Sequence, residues 1–357
     1  MSTSIPLNQI LQGDCVEILA SLPAESIDVI FADPPYNLQL QKDLYRPDQS
    51  KVDAVSDPWD KFTGFSDYDQ FTVSWLKACR RVLKDTGTLW VIGSYHNIFR
   101  VGTILQDLKF WILNDIIWIK NNPMPNFRGV RFTNAHETLI WAQKNKGEKY
   151  TFNHFDAKAL NDNLQMRSDW TLPLTSGKER IKVNGSKLHS TQKPLSLLYR
   201  ILLASTRPGD VILDPFFGSG TTGSVAKMLR RNWIGIEREK KYIRAAQERI
   251  EKTTPVPLES LYSEDHRRQK RIPFGLLIES GLLSPGQRLW SKKGDVEATI
   301  LSNGKIKCGD RIDSIHGMAK ALTKLPANGW DFWLYEEPEG IKKSIDELRN
   351  RIRKEIE

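Results

Sequence analysis

Cysteine is scarce: Cys15, Cys79 and Cys308 are odd in number, far apart, and lack C-x-x-C or Cys/His ligand spacing. That pattern argues against a disulfide framework and against a structural zinc site, so reduced thiols and no metal are expected. No apolar run approaches the ~20 residues needed to cross a bilayer. The opening segment MSTSIPLNQILQGD has no basic stretch followed by an apolar core, so it does not resemble a secretory leader, and a cytoplasmic protein without a membrane partner is expected. Also missing is any G-x-x-x-x-G-K-[ST] phosphate loop, and no internal repeat or low-complexity tract is visible.

What is present is positive charge, +9 over 357 residues with a pI near 9.3. A polyanionic partner suits that balance. The excess is concentrated: residues 126–200 hold 13 Lys/Arg against 6 Asp/Glu. A second concentration, HRRQKR at 266–271, falls where the texture of the sequence changes, and reads as part of a basic linker over 261–271, as a solvated charge run or a phosphate contact.

Short apolar segments with strand character, IDVIF (27–31), GTLWVIGS (87–94), DVILD (210–214) and WIGIE (233–237), alternate with helical periods such as FTVSWLKACRRVLK (71–84) and LSLLYRILLAST (195–206). This alternation predicts an α/β fold, a doubly wound and mostly parallel Rossmann-like sheet, over residues 1–260. DIIWIK (115–120) and HETLIWAQ (136–143) read as further strands on either side of the polar loop NNPMPNFRGVRFTN. A target-recognition region is expected to be inserted at about 40–190. From 272 to 357 shorter strands, VEATIL and WDFWLYE, and a charged helix from Ile341 predict a small α+β domain.

The segment GDVILDPFFGSGTTGSVAKMLRRNWIGIERE, residues 209–239, names a cofactor class. Its first strand ends at Asp214, a glycine turn follows at Gly218 and Gly220, and a helix begins near Thr221. Ligands of open α/β sheets bind beyond the carboxyl ends of strands, where glycines admit close approach and the helix supplies free N–H groups. Glu237 ends the next strand, where an acid accepts from ribose hydroxyls. The preceding Asp-Pro-Phe-Phe suits a nucleoside with an amino-acid end and no pyrophosphate, which favours S-adenosylmethionine.

A second motif, Asp33-Pro34-Pro35-Tyr36, closes the strand IDVIF; by chance this tetrapeptide arises on the order of 10⁻³ times per chain of this length. The prolines stiffen the turn and leave the Pro34 carbonyl as an acceptor, Asp33 is a second acceptor, and the Tyr36 ring is a stacking face. Two acceptors and a ring suit the exocyclic amine of a nucleobase. The adenine N6 lone pair is delocalised into the ring; hydrogen bonds from both amine protons favour a tetrahedral nitrogen that attacks an electrophilic methyl. Positioning and electrostatics then carry the rate. Inside a duplex the amine cannot meet the methyl in line, so the base must be flipped out.

These residues carry a family resemblance. ADPPY followed much later by DPFFGSGTTG is the order of the β-class amino-methyltransferases, and DPPYNLQL, VIGSYHNIFRVG, NPMPNFRG, NAHETLIWA, MRSDW and TQKPLSLLYR together resemble the CcrM-type cell-cycle-regulated DNA adenine methyltransferases. The segment from RIPFGLLIESGLLSPG to NGWDFW is similar to the restriction-and-adenine-methylase-associated domain. The resemblance implies N6-adenine methylation within GANTC by a homodimer on double-stranded DNA, in the bacterial cytoplasm at the nucleoid, with S-adenosylmethionine as donor. It makes Asp33, Pro34, Pro35 and Tyr36 catalytic, and Asp214, Phe216, Gly218, Ser219, Gly220, Thr221, Thr222 and Glu237 cofactor-binding. It adds Asp14 and Cys15 beside the cofactor adenine, and Lys193 from a segment usually written H-P-T-Q-K-P, in which Ser190 departs from the pattern.

DNA contacts are expected from Asn126, Arg128, Arg131, His96 and Asn97, whose amide, cationic and ring groups sit among aromatics; ordinary loop structure or phosphate contact is the alternative for each. Arg46 and Trp59 follow the catalytic turn and suit a lid or wedge, or else a solvated Arg and a core Trp. Arg167 reaches DNA or pairs with Asp169. The rival readings are an N4-cytosine enzyme, an RNA substrate, a catalytically silent DNA-binding regulator and a nicotinamide-dependent oxidoreductase.

Overall fold

The structure, a computed structural model, describes residues 5–38, 60, 62–123, 125–126, 129–183, 186–188, 191–261, 272–325, 327–338 and 340–356. Internal contacts divide the chain into two compact units, Met1–Glu264 and Asp265–Glu357.

In the first unit the order is β1 (Gln9–Gln12), α1 (Cys15–Ser21), β2 (Ile27–Ala32), α2 (Phe65–Val82), β3 (Leu83–Gly93), α3 (Ile98–Asp107), β4 (Trp111–Lys120), β5 (His136–Gln143), α4 (His154–Ala159) and β6 (Asp169–Leu172). A two-residue pair, β7 (Lys182–Val183) and β8 (Ser186–Lys187), precedes α5 (Leu195–Ser205), β9 (Val211–Asp214), α6 (Thr221–Met228), β10 (Asn232–Glu237) and α7 (Lys240–Glu251). Eight strands form one sheet in the order β1-β10-β9-β2-β3-β5-β4-β6. Its left half, through β3, is parallel, and β5 runs antiparallel to both β3 and β4. The sheet is therefore mixed on its β4–β5 side, where the sequence pattern places strands without assigning direction.

Alternation along each strand sorts side chains to two faces. Ile30, Ala32, Leu89, Val91, Leu213 and Ile234 join Leu19, Trp75, Leu76 and Val101 in one apolar layer. Val29, Phe31, Trp90, Ile92, Leu139 and Trp141 join Leu198, Ile201, Leu202 and Val225 in the other. Both faces are covered, as a largely parallel sheet requires, because its strands expose no solvated side. From β2 the chain moves to β3, and from β9 it moves to β10 on the opposite side. The boundary between β2 and β9 is the switch point at which such sheets bind ligands.

The second unit has its own core, built on Leu277, Leu289, Ile300, Ile306, Met318, Trp333 and Ile345. Its elements are α8 (Phe274–Glu279), β11 (Arg288–Ser291), β12 (Glu297–Ile300), β13 (Ile306–Cys308), β14 (Arg311–Asp313), α9 (Ile315–Thr323), α10 (Gly329–Phe332), β15 (Trp333–Glu336), β16 (Lys342–Ser344) and α11 (Ile345–Ile356). The strands form an antiparallel sheet, β14-β13-β12-β11-β15-β16. Two local expectations change. Only the second half of WDFWLYE is strand; its first half turns helically, with the Asn328 side chain accepting from Trp330 N. The last helix starts at Ile345, after a three-residue strand.

Candidate active site

Asp33 and Asp214 follow or end the two strands that meet at the switch point, β2 and β9. Val29 and Phe31 point to the α5–α6 face, and the same alternation carries Asp33 there. Lys193, just ahead of α5, meets it: Lys193 Nζ donates to Asp33 Oδ2 at 2.8 Å. The same ammonium lies 5.2 Å from the Tyr36 ring centroid and 3.8 Å from Glu137 Oε2. Tyr36 Oη donates to Glu137 Oε2 at 2.9 Å, and Lys120 Nζ pairs with Glu137 Oε1 at 2.8 Å. Asp33 Oδ1 is buried and has no hydrogen-bond partner among the described residues.

Low dielectric and close charges set the protonation states here. Burial lifts the Asp33 carboxyl above its ordinary value, against the pull of Lys193. Burial alone would raise Glu137 too, but the ammoniums of Lys193 and Lys120 outweigh it and hold Glu137 below the usual value. For Lys193, Asp33 and Glu137 likewise overcome the burial that disfavours its charge, and its pKa is raised. Burial, then the charges of Asp33 and Glu137, push Tyr36 well above the ordinary phenol value, so it remains a donor.

The turn after β2 is fixed from outside. Tyr68 Oη donates to the Pro35 carbonyl at 3.0 Å, and Asn97 Nδ2 donates to Tyr68 Oη at 3.1 Å. Asn37 adopts a left-handed φ of 53°, and its N–H and that of Leu38 donate to the two carboxylate oxygens of Asp60.

Across the switch point the glycine turn is shaped by acids. Asp214 Oδ1 accepts from Phe216 N–H at 2.9 Å and Oδ2 from Thr222 Oγ1 at 2.6 Å, which ties the strand end to the first turn of α6. Glu237 accepts from the N–H groups of Gly218, Arg238 and Glu239. Gly220 has φ 75°, and a Cβ there would stand 2.7 Å from Ala246 Cβ, so this position needs glycine for both reasons. Phe216 packs edge-on against Trp75. Asp14 caps α1, its Oδ1 accepting from Val16 and Glu17 N–H, while burial pushes the neighbouring Cys15 thiol up to about 12. Thr221 Oγ1 donates to the Lys193 carbonyl at 3.3 Å and receives Arg249 Nη1 at 2.7 Å. Lys193 thus touches the cofactor turn through its backbone and the catalytic turn through its side chain.

The residues nominated for DNA separate by position. Asn97 is 1% exposed: its Oδ1 accepts from Ser94 N–H and its Nδ2 is taken by Tyr68, so the structure makes it a brace behind the catalytic turn. Arg131 is exposed, and its Nη1 donates to Tyr95 Oη at 2.8 Å. His96 stacks on Tyr95 with ring centroids 4.0 Å apart. Asn126 is partly buried in the β4–β5 loop. Arg167 is exposed and forms a bidentate pair with Asp169. Arg46, Trp59 and Arg128 lie outside the described residues.

Comparison with known proteins decides the family. Residues 27–248 match the family described as DNA methylase. The chain belongs to that family. Residues 258–357 of this DNA methylase match a second family, described as Restriction Enzyme Adenine Methylase Associated. The chain is 50% identical over 346 residues to the type II methyltransferase M.HinfI of Haemophilus influenzae, covering 96% of each chain. It is 44% identical to the type II methyltransferase M2.DpnII of Streptococcus pneumoniae, over 68% of this chain and 89% of that one. A crystal structure of an M1.HpyAVI–SAM complex matches with TM-score 0.50 and 31% identity over 68% of this chain and 98% of that one. The PvuII cytosine-N4-specific DNA methyltransferase, 21% identical, shares the fold with TM-score 0.54 over 72% and 91%.

This DNA methylase is a site-specific methyltransferase that uses S-adenosylmethionine. The residues fit that cofactor. Asp14, beyond β1, and Glu237 offer carboxylate acceptors for a nucleoside, and Glu237 holds the left-handed glycine turn through the Gly218 N–H. Asp33, Asp214 and Glu237 are all raised by burial, Asp214 to about 7; a sulfonium cation held there would offset that crowding of acids. When bound, the cofactor supplies an electrophilic methyl.

Three residues of the site carry no motif that singles them out in the sequence. Glu137 is the one acid of HETLIWAQ, at a polar strand start where nothing in the alternation marks it for the site. Lys120 closes β4 two residues beyond Trp118, which faces Glu137. Arg249 lies on a charged helix, and nothing in its spacing separates it from its neighbours.

Proposed function

We propose that this methyltransferase modifies N6 of adenine, flipped out of double-stranded DNA within GANTC, and that it is of the CcrM type, acting as a homodimer in the bacterial cytoplasm. The carrying observation is the buried Asp33 Oδ1, which has no hydrogen-bond partner among the described residues. A buried acceptor left unpaired costs roughly 1–3 kcal/mol, which a donor arriving with the substrate recovers. An exocyclic amine is such a donor. Asp33 Oδ1 takes one amine proton and the Pro34 carbonyl the other, the Pro35 carbonyl being held by Tyr68. Tyr36 stacks on the base. The N6 lone pair then forms the new carbon–nitrogen bond, the carbon–sulfur pair returns to sulfur, and N6 sheds one proton to water.

Adenine is supported by the second family, whose description names adenine methylases. Arg131, His96, Asn126 and Arg167, with Arg46, Trp59 and Arg128, are proposed to meet the duplex. Asp14, Cys15, Lys193, Asp214, Phe216, Gly218, Ser219, Gly220, Thr221, Thr222 and Glu237 are proposed to surround the cofactor. The test is methyl transfer from labelled S-adenosylmethionine to duplexes carrying GANTC, the same site without its adenine, and a scrambled control. Label confined to intact GANTC and recovered as N6-methyladenine is expected. Label recovered as N4-methylcytosine, or spread equally over all three duplexes, would overturn the reading.

A further inference from the structure

Glu137 is a largely enclosed acid, its side chain 12% exposed, at a place where burying a charge is costly unless it is paired. Its strand explains how it arrives. Glu137 precedes Leu139 and Trp141 in the alternation of β5, so it shares their face, the one covered by α5 and entered by Lys193. It stands opposite Trp118 on β4, two residues before Lys120. Both carboxylate oxygens are engaged, and differently. Oε1 holds Lys120 at 2.8 Å, whereas Oε2 accepts from Tyr36 Oη at 2.9 Å with Lys193 at 3.8 Å.

We infer that Glu137 is a positioning residue for methyl transfer, which fixes the position of the Tyr36 ring by holding its hydroxyl and is itself anchored by Lys120. The inference rests on the proposed stacking of the target base on Tyr36. A tyrosine at the end of a turn has freedom about χ1 and χ2. A hydrogen bond from its hydroxyl to a doubly anchored carboxylate restrains χ1 before the base arrives, which is preorganisation of the kind that governs near-attack geometry. The phenol pKa, raised by burial and by Asp33 and Glu137, keeps the hydroxyl protonated and donating. Lys193 adds a second constraint, because its ammonium lies between Asp33 and Glu137 and over the same ring.

The experiment is a double-mutant cycle on the full chain, combining Glu137→Gln with Tyr36→Phe, with Lys120→Met measured separately. Single-turnover methylation of a GANTC duplex and KM for S-adenosylmethionine are read for each variant, and thermal melts report folding. Expected is a loss of about tenfold in kcat for Glu137→Gln, with KM for the cofactor changed less than about twofold. Lys120→Met is expected to reproduce that loss. In the Tyr36→Phe background, where the hydroxyl is gone, Glu137→Gln is expected to cost nothing further. Losses that multiply in the double variant, a loss expressed in cofactor KM, or a wild-type rate for Glu137→Gln would overturn the inference. An active wild type showing those patterns overturns this inference alone; a wild type that makes no N6-methyladenine overturns it together with the adenine reading. If Glu137→Gln does not fold, Lys120→Met carries the same comparison, and a wild-type kcat there overturns the anchoring.

Discussion

Lys193 Nζ sits 2.8 Å from Asp33 Oδ2 across 160 residues of sequence, joining the start of α5 to the turn that follows β2. The pair is buried, and Glu137 shares the ammonium. Removing one member of such a pair leaves the other charge uncompensated. Lys193→Met is therefore expected to destabilise the protein by about 3–5 kcal/mol, read as a lower urea midpoint at unchanged slope. A midpoint equal to wild type would show that the pair contributes no net stability.

Asp214 makes the stability of the cofactor-free protein depend on pH. Its carboxyl is raised from 3.8 to about 7, by burial first and by the charges of Asp33 and Glu237. Between those values the native state binds more protons than the unfolded state, so stability falls as pH rises. The contribution is full below pH 3.8 and is lost as pH climbs through about 7, a penalty on the order of 4 kcal/mol for the ionised form. Melting in buffers from about pH 5 to 8 should show a steeper decline for wild type than for Asp214→Asn. Parallel declines would contradict the assignment.

Gly220 combines a left-handed φ of 75° with a Cβ position 2.7 Å from Ala246 Cβ. Gly220→Ala is expected to cost about 1–3 kcal/mol through overpacking, with a further ~1 kcal/mol from the backbone. Calorimetric titration with S-adenosylmethionine should show binding weakened by at least about tenfold. Wild-type affinity together with a wild-type melt would contradict the packing argument.

Tyr68 Oη bridges Asn97 and the Pro35 carbonyl. Tyr68→Phe leaves both without that partner, at a cost of about 1–3 kcal/mol. Because the bridge braces the catalytic turn, kcat is expected to fall while KM for the cofactor holds. An unchanged kcat in a destabilised variant would assign Tyr68 to folding alone.

The α/β alternation, the four principal strands and both glycine- and proline-bearing turns are legible in the sequence because hydrophobic period and turn residues are local signals. WDFWLYE misleads because a helical turn and a strand of the same apolar residues carry no period difference over so few positions. Asn97 reads as a DNA contact because its loop mixes polar and aromatic residues; its oxygen is taken locally by Ser94 N–H, and only the fold brings Tyr68 close enough to take its amide N–H. Glu137 and Lys120 are legible as residues but not as partners, since their meeting with Tyr36 and Lys193 depends on β5 running antiparallel between β3 and β4. Resemblance assigns the Lys193 segment to the cofactor, and the structure gives its side chain to Asp33.

The most direct measurement is single-turnover methyl transfer by Asp33→Asn on a GANTC duplex, with S-adenosylmethionine affinity measured on the same preparation. If Asp33 Oδ1 accepts the adenine amine, the variant loses about 10²–10³ in rate, as when one electrostatic partner of a reacting group is removed, while cofactor affinity stays within about threefold. A rate within about threefold of wild type would contradict the account.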